Sequence, residues 1–293
     1  MRAVETLTPP RPAARRGSSR QGTPLAVFGR PAILGILNVT PDSFSDGGRF
    51  VDVESAVAHA RAMVADGADV IDVGGESTRP AATPVDAAEE LRRVLPVLER
   101  IRGLTSISID TTKAAVAAAA LRSGATIVND VSGATLDPAM LRVVAERGSG
   151  IILMHRRGTP RTMDRLARYR DVTAEVKRFL SAQIEAALAA GIPRSAIAID
   201  PGIGFAKTLR HNLTLLAHVS ELATLGFPVV VGVSRKRFLG GLLGPSAQAR
   251  VEGTVAASLI AIAGGARGVR VHDVAPMARA LRVAQAIWAV EHG

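Results

Sequence analysis

The sequence predicts an α/β protein built as a single closed (β/α)8 barrel, a TIM barrel, behind a disordered N-terminal extension. Three observations carry that expectation. Short apolar runs of β-type composition alternate with Ala- and Leu-rich segments of helical period, the runs recur eight times in about 260 residues, and no linker interrupts the series. Eight units match a closed barrel in count and size, whereas an open doubly wound sheet more often has about five or six strands. Each run is apolar nearly throughout, as strands covered on both faces should be.

Residues 1–25 hold five Arg against one Glu and are rich in Pro, Ser and Gly without an apolar segment. Such a stretch has no face to bury and is expected to be a disordered basic tail. The Arg15-Arg16 pair is not followed by an apolar core, which argues against an export signal, while an organelle transit peptide remains compositionally open. The barrel is assigned to residues 26–293. Its first run, 33–37, exits into Asn38-Val39-Thr40-Pro41-Asp42-Ser43-Phe44-Ser45-Asp46-Gly47-Gly48. The second, 69–73, exits into Gly74-Gly75-Glu76-Ser77-Thr78-Arg79-Pro80. In the helix after it Leu91, Val94, Leu95, Leu98 and Ile101 form one stripe, and Pro96 predicts a kink or an early stop. Run three, 106–109, ends in Asp110-Thr111; run four, 126–128, in Asn129-Asp130; run five, 151–154, in His155-Arg156-Arg157. Run six, 196–199, ends in Asp200-Pro201-Gly202 and precedes a helix on which Leu209, Leu213 and Leu216 are expected to face inward. Run seven, 229–233, ends in Ser234-Arg235-Lys236, and run eight, 268–271, carries Arg270-Val271-His272-Asp273. Barrel enzymes place their chemistry on the loops after the strand C-termini, and here every such exit is polar or ionisable.

Composition narrows the partners. The formal charge is +10, of which residues 1–25 supply +4 and the remainder +6. Seven Phe, one Trp and one Tyr leave few stacking platforms for single-stranded nucleic acid, so the basic surface reads as one that steers a phosphorylated small molecule. The absence of Cys excludes disulfides, thiolate metal sites and a Cys nucleophile. No apolar run approaches the roughly 20 residues of a membrane helix. A soluble, cytoplasmic protein with no nucleic-acid or membrane partner is expected.

At the exits Arg79, Lys236, Arg270 and His272 would form a cationic cup for a di- or triphosphate. Asn38 offers a neutral oxygen suited to a Mg²⁺ whose other ligands are phosphate oxygens and water. Asp110, Asn129, Asp200 and Lys236 are a mixed donor and acceptor set suited to a planar heterocycle with amide and amino edges. Plainer roles stand beside these: Asp110 and Asp200 as helix caps, Arg79 as a surface ion-pair partner, Lys236 as a solvated side chain. Sharper motifs fail. The 202–208 segment lacks the glycines of a P-loop or a dinucleotide fingerprint, and the segment 232–236 ends in Lys where a hydrolase elbow needs Gly, leaving Ser234 as a hydrogen-bond donor. The six His, with His59, His211 and His218 expected on helix surfaces, have no zinc-site spacing.

The segments 38–48, 74–80, 108–111, 129–133, 153–155 with 157–163, 200–208, 232–236 and 270–273 together resemble the dihydropteroate synthase family of folate biosynthesis, over essentially all of residues 32–288. That resemblance implies condensation of 6-hydroxymethyl-7,8-dihydropterin diphosphate with 4-aminobenzoate, C–O cleavage running largely ahead of amine attack. It implies that Asn38 holds Mg²⁺ with the diphosphate, that Arg79, Arg270 and His272 bind the departing anion, and that Asp110, Asn129, Asp200 and Lys236 grip the pterin with Met154 against its face. Thr78, Arg79, Pro80, Phe205 and Ser234 would frame the aminobenzoate, with Thr78 also reaching the pterin diphosphate. The first loop would bring Phe44 and Asp46 over the site, Asp46 stabilising a pterin cation; with Asp46, Lys236 and Arg79 are the expected catalytic residues. A homodimer through barrel helices is the family habit. Ala81 and Ala206 stand where the family commonly has Gly, and Arg156 where it is often apolar. The Ala206 methyl is expected to narrow the aminobenzoate pocket or to demand a negative φ. Two alternatives share the barrel: a pterin-dependent methyl transfer to a corrinoid protein, which has no use for a diphosphate cup, and a pterin-binding paralogue without turnover.

Overall fold

The computed structural model describes residues 23–40, 49–77, 84–244 and 246–291. Within them β1 (Ala32–Asn38), β2 (Val70–Gly74), β3 (Ser106–Asp110), β4 (Ile127–Asp130), β5 (Gly150–Met154), β6 (Ile197–Asp200), β7 (Val230–Gly232) and β8 (Gly268–Val271) form one parallel sheet. Its order runs β6-β5-β4-β3-β2-β1-β8-β7, and the ring meets itself through a parallel bridge between Ile199 and Val229. The expected barrel is therefore observed, each strand within a residue or two of its apolar run. Around it lie α1 (Arg49–Asp66), α2 (Ala87–Ile101), α3 (Ala114–Arg122), α4 (Met140–Arg147), α5 (Val172–Ala189), α6 (Leu209–Ala217), α7 (Val219–Ala223), α8 (Arg237–Leu243), α9 (Ala247–Ala263) and α10 (Val274–Glu291). No described helix is long and apolar enough to cross a membrane.

Strand side chains alternate between the two faces of a sheet, and the alternation sorts the core into two clusters. Ile33, Leu37, Ile71, Ile107, Ile109, Val128, Ile151, Leu153, Val231 and Val269 point outward and pack under the helices. Ala32, Leu34, Val70, Ile127, Ile152, Ala198 and Val230 point inward and fill the N-terminal half of the barrel. Leu25 and Phe28 join the inner set from a 3-10 turn at Ala26–Gly29 and plug that end. Residues 1–22 of the expected tail lie outside the described residues, but its last member, Leu25, is buried against Gly150. Ordered structure thus begins before the expected boundary, because an apolar side chain there has the barrel floor to bury against.

Two helices depart from their sequence reading. Of the kink or early stop expected at Pro96, the early stop does not occur, since α2 runs on to Ile101. A proline in a helix interior costs about 3 kcal/mol, while burying Val97, Leu98 and Ile101 beyond it returns about 1.5–3 kcal/mol each. On α6 the inward positions belong to Asn212, Leu215 and Leu216, whereas Leu209 and Leu213 are exposed.

Candidate active site

The inward positions that are apolar in the lower barrel become polar in its upper half. Following the same alternation from Val70, Ile127 and Gly268 reaches Asp72, Asn129 and Arg270, and one layer higher Gly74, Asp110, Asp200 and His272. Polar groups at these depths must find partners, and Arg270 supplies them. Its Nε donates to Asp72 Oδ2 at 2.5 Å and its Nη2 to Asp110 Oδ2 at 2.6 Å, while Asn129 Nδ2 donates to the same Asp72 oxygen at 3.2 Å. Burial opposes the guanidinium charge, but the two carboxylates outweigh it and hold the Arg270 pKa above its ordinary value. Burial pushes the Asp110 carboxyl up to about 7, against the pull of Arg270. Asp72 Oδ1 and Ser108 Oγ, neighbours across β2 and β3, are buried and have no hydrogen-bond partner among the described residues. Glycines keep this layer open: a side chain at Gly74 would project toward Asp110 and Asn38 Oδ1, and one at Gly232 toward Arg270 and Lys236 Nζ.

The other side of the mouth is the segment after β6. Gly202 N–H donates to Asp200 Oδ1 at 2.6 Å, and Gly204 N–H to Asn212 Oδ1 at 2.7 Å, which accounts for the inward amide on α6. Lys236 crosses from the β7 exit to this segment, donates to the Ile203 carbonyl and lies 4.8 Å from the centre of the Phe205 ring. Burial lowers its pKa to about 8, against the attraction of Asp200. The Asp200 carboxyl is itself raised by burial, with Lys236 opposing. Beneath, buried Lys207 donates to the Phe205 carbonyl at 2.9 Å and stands 3.0 Å from His155 Nδ1. His155 is held neutral, its pKa driven down to about 2 by burial and by the neighbouring Lys207 and Arg157, while burial also lowers the pKa of Lys207 well below its ordinary value. Ser234 Oγ accepts from the His272 backbone N–H at 3.1 Å and lies 3.0 Å from His272 Nδ1. Ala206 is buried with φ of +50°, so the expected negative φ is not what the chain adopts.

Asn38, Asp110, Asn129, Met154, Asp200, Phe205, Ser234, Lys236, Arg270 and His272 thus converge at the C-terminal ends of the strands and the loops following them. Asp110 and Asp200 do not cap the following helices: the N-cap residue of α3 is Lys113, which makes no side-chain cap bond, and α6 is capped by Thr208. His59 and His218 are exposed as expected, while His211 is half-buried and completes the capping box of α6. Asp42, Phe44, Asp46, Thr78, Arg79, Pro80 and Ala81 lie outside the described residues. The expected four-cation cup is modified: Arg270 turns inward to two carboxylates and Lys236 to a carbonyl and a ring. Asp72, Ser108 and Lys207 were missed by a reading confined to strand exits. The signal for Asp72 was present, since an acid inside an apolar run at the inward parity requires a buried partner.

Residues 34–272 match the family described as pterin binding enzymes. A dihydropteroate synthase of Synechocystis is 51% identical over 262 residues, covering 88% of this chain and 91% of its own. The Xanthomonas albilineans dihydropteroate synthase with 4-aminobenzoic acid superposes with a TM-score of 0.84 at 48% identity, covering 89% of this chain and 94% of its own. A structure of the synthase from that organism in complex with 7,8-dihydropteroate gives 0.79 at 42% identity, with coverage of 89% and 94%.

Proposed function

The chain belongs to the dihydropteroate synthases of the pterin-binding enzyme family, and from that premise we propose how its residues share the reaction. The protein condenses 6-hydroxymethyl-7,8-dihydropterin diphosphate with 4-aminobenzoate to give 7,8-dihydropteroate and pyrophosphate. The observation that carries the residue assignment is the buried polar layer built on Asp72, Asp110, Asn129, Asp200, Lys236 and Arg270. A fused heterocycle with amide and amino edges suits such a layer in kind: Asp72 Oδ1 and Ser108 Oγ have no partner among the described residues and can accept, and Asn129, Lys236 and Arg270 carry donors. Met154, buried at the end of β5, offers an apolar contact for the ring face. Phe205 and Ser234, with Thr78, Arg79 and Pro80, frame the aminobenzoate. Thr78 also reaches the pterin diphosphate, and Arg79 and His272 serve the departing diphosphate.

Cleavage of the bond between the pterin methylene carbon and the diphosphate oxygen releases pyrophosphate and leaves a cation, which Asp46 stabilises through its charge. The aminobenzoate nitrogen then forms the new C–N bond and gives up a proton. Asn38, whose Oδ1 faces the opening left at Gly74, would give one oxygen to a Mg²⁺ whose other ligands come from the diphosphate and water. Bound there, the ion would neutralise charge on the leaving group. A homodimer would pair through a stripe on α10, where Val283, Ile287 and Val290 are 62%, 58% and 84% exposed. Such a row at helical spacing fits the same row on a second copy.

Single-turnover pyrophosphate release tests the assignment. With both substrates and Mg²⁺ the parent should release pyrophosphate and form dihydropteroate, whereas Asp46→Asn should be slower by about 10²-fold, or about 2.7 kcal/mol, with little change in pterin diphosphate affinity. Parental release by Asp46→Asn removes the cation-stabilising role, and pterin binding without turnover removes the activity.

A further inference from the structure

Between Ser234 and Lys236, both assigned to the substrates above, stands a residue with no such assignment. Arg235 has φ of +54°, in the left-handed region that costs an L-residue about 1–2 kcal/mol. Glycine adopts that region without penalty, so an arginine there calls for a compensating interaction. The compensation is a paired contact: Arg235 Nε donates to Asp273 Oδ2 at 2.9 Å and Nη2 to Asp273 Oδ1 at 2.5 Å, the fork geometry that fixes direction as well as distance. Its backbone N–H donates to Thr254 Oγ1 of α9 at 3.1 Å, which anchors the turn from outside the barrel.

The consequence lies in the register. Asp273 follows His272 as Arg235 follows Ser234, so the exits of β7 and β8 are laced twice, by Ser234 with His272 and by Arg235 with Asp273. The left-handed turn at 235 sends Arg235 out and brings Lys236 back in, where Lys236 lies against Gly204, Phe205 and the Ile203 carbonyl. We propose that Arg235 and Asp273 are a positioning pair that touches no substrate and holds Ser234 and Lys236 in register with Arg270 and His272. The pair works through those neighbours, so the inference rests on their assignment above.

The test measures kcat and both KM values for Arg235→Gly, Asp273→Asn, the double variant, Arg235→Lys and, as reference, Lys236→Gln. Arg235→Gly keeps the left-handed turn accessible and removes the fork. A positioning pair predicts that it folds, loses about 10-fold in kcat with each KM within about 3-fold, and that Asp273→Asn matches it without further loss in the double variant. Lysine cannot reproduce the fork, so Arg235→Lys should recover only part of the loss. Three results overturn the proposal: parental kcat in Arg235→Gly, which makes the residue a tolerated turn; a rise in one KM alone, which makes it a substrate contact; and multiplying losses in the double variant. Lys236→Gln separates the two layers of inference. If it is impaired while Arg235→Gly is not, the pair fails alone; if it behaves as the parent, the site assignment fails and the pair falls with it.

Discussion

At Ala206 the backbone takes a left-handed φ while the methyl group is fully buried in the segment that carries Phe205. An L-residue there costs about 1–2 kcal/mol, and glycine regains part of that after losing entropy of its own. Ala206→Gly should therefore stabilise the fold by about 0.5–1 kcal/mol, raising Tm by about 1–3 °C in a thermal melt. A lowered Tm would mean that the methyl contributes more by packing than the backbone loses in strain. Lys236 makes a second prediction at this scale. With its pKa brought down to about 8, the amine loses its charge as pH rises through that value, and affinity for pterin diphosphate should fall with it. The alkaline limb in kcat/KM should disappear in Lys236→Met, leaving a lower, flatter profile. The stability sign is opposite. The unfolded lysine keeps its proton to about 10.4, so folding releases a proton between the two values and stability from this group increases with pH across that window. Residue identity at the exits was legible because polar side chains after apolar runs have few structural reasons to recur. The partners were not: that Arg270 answers Asp72 and Asp110 depends on closing β1 against β8, a contact between residues 198 and 160 positions apart.

Among the elements, the strands were the most legible, since parallel strands covered on both faces leave unbroken apolar runs. Helix faces were less so. The Leu209, Leu213 and Leu216 spacing suggested a buried stripe, but Asn212 occupies the inward position because its amide holds Gly204 and the Thr208 carbonyl beneath the site. A tertiary hydrogen-bond demand rotated the helix away from its most apolar face. The 3-10 turn at Ala26–Gly29 was missed for the complementary reason: a single buried ring has no periodicity. Phe28 is only 3% exposed and occupies the space a side chain at Gly268 would need, its ring 2.8 Å from that position. Phe28→Ala should cost about 3–4 kcal/mol in chemical denaturation through the cavity it leaves. Below the melting range its kcat and KM should match the parent, because the floor lies at the opposite end of the barrel from the polar layer. Gly268→Ala should destabilise by about 1–3 kcal/mol alone and by less in the Phe28→Ala background. Equal costs in both backgrounds would show that the floor is not packed as described.

For the whole molecule the question is what the excess positive charge does once the buried cations are accounted for. Arg270, Lys236 and Lys207 face carboxylates, carbonyls and rings inside the barrel, so they act at contact range. Outside it, the connection from β5 to α5 displays Arg161, Arg165, Arg168 and Arg170, all exposed, against Asp164 and Asp171. It lies on the face of the strand C-termini, and the ion pair of Asp164 with Arg237 at 2.8 Å brings it across to the start of α8, next to Lys236. Both substrates are anions, and a cationic rim raises their concentration at the mouth whether or not encounter limits the rate. Surface charge of this kind is screened over about 8 Å at physiological salt, whereas the buried contacts are not. Replacing the four arginines by Gln should therefore raise KM for pterin diphosphate about 3- to 10-fold at low salt and leave kcat unchanged. At about 0.5 M salt the parent and the variant should converge, because screening removes from the parent what substitution removes from the variant. Steady-state kinetics at a fixed, saturating Mg²⁺ concentration read this directly. A KM difference that persists at high salt would mean that these arginines touch the substrate rather than steer it, and a fall in kcat would place them in the chemistry.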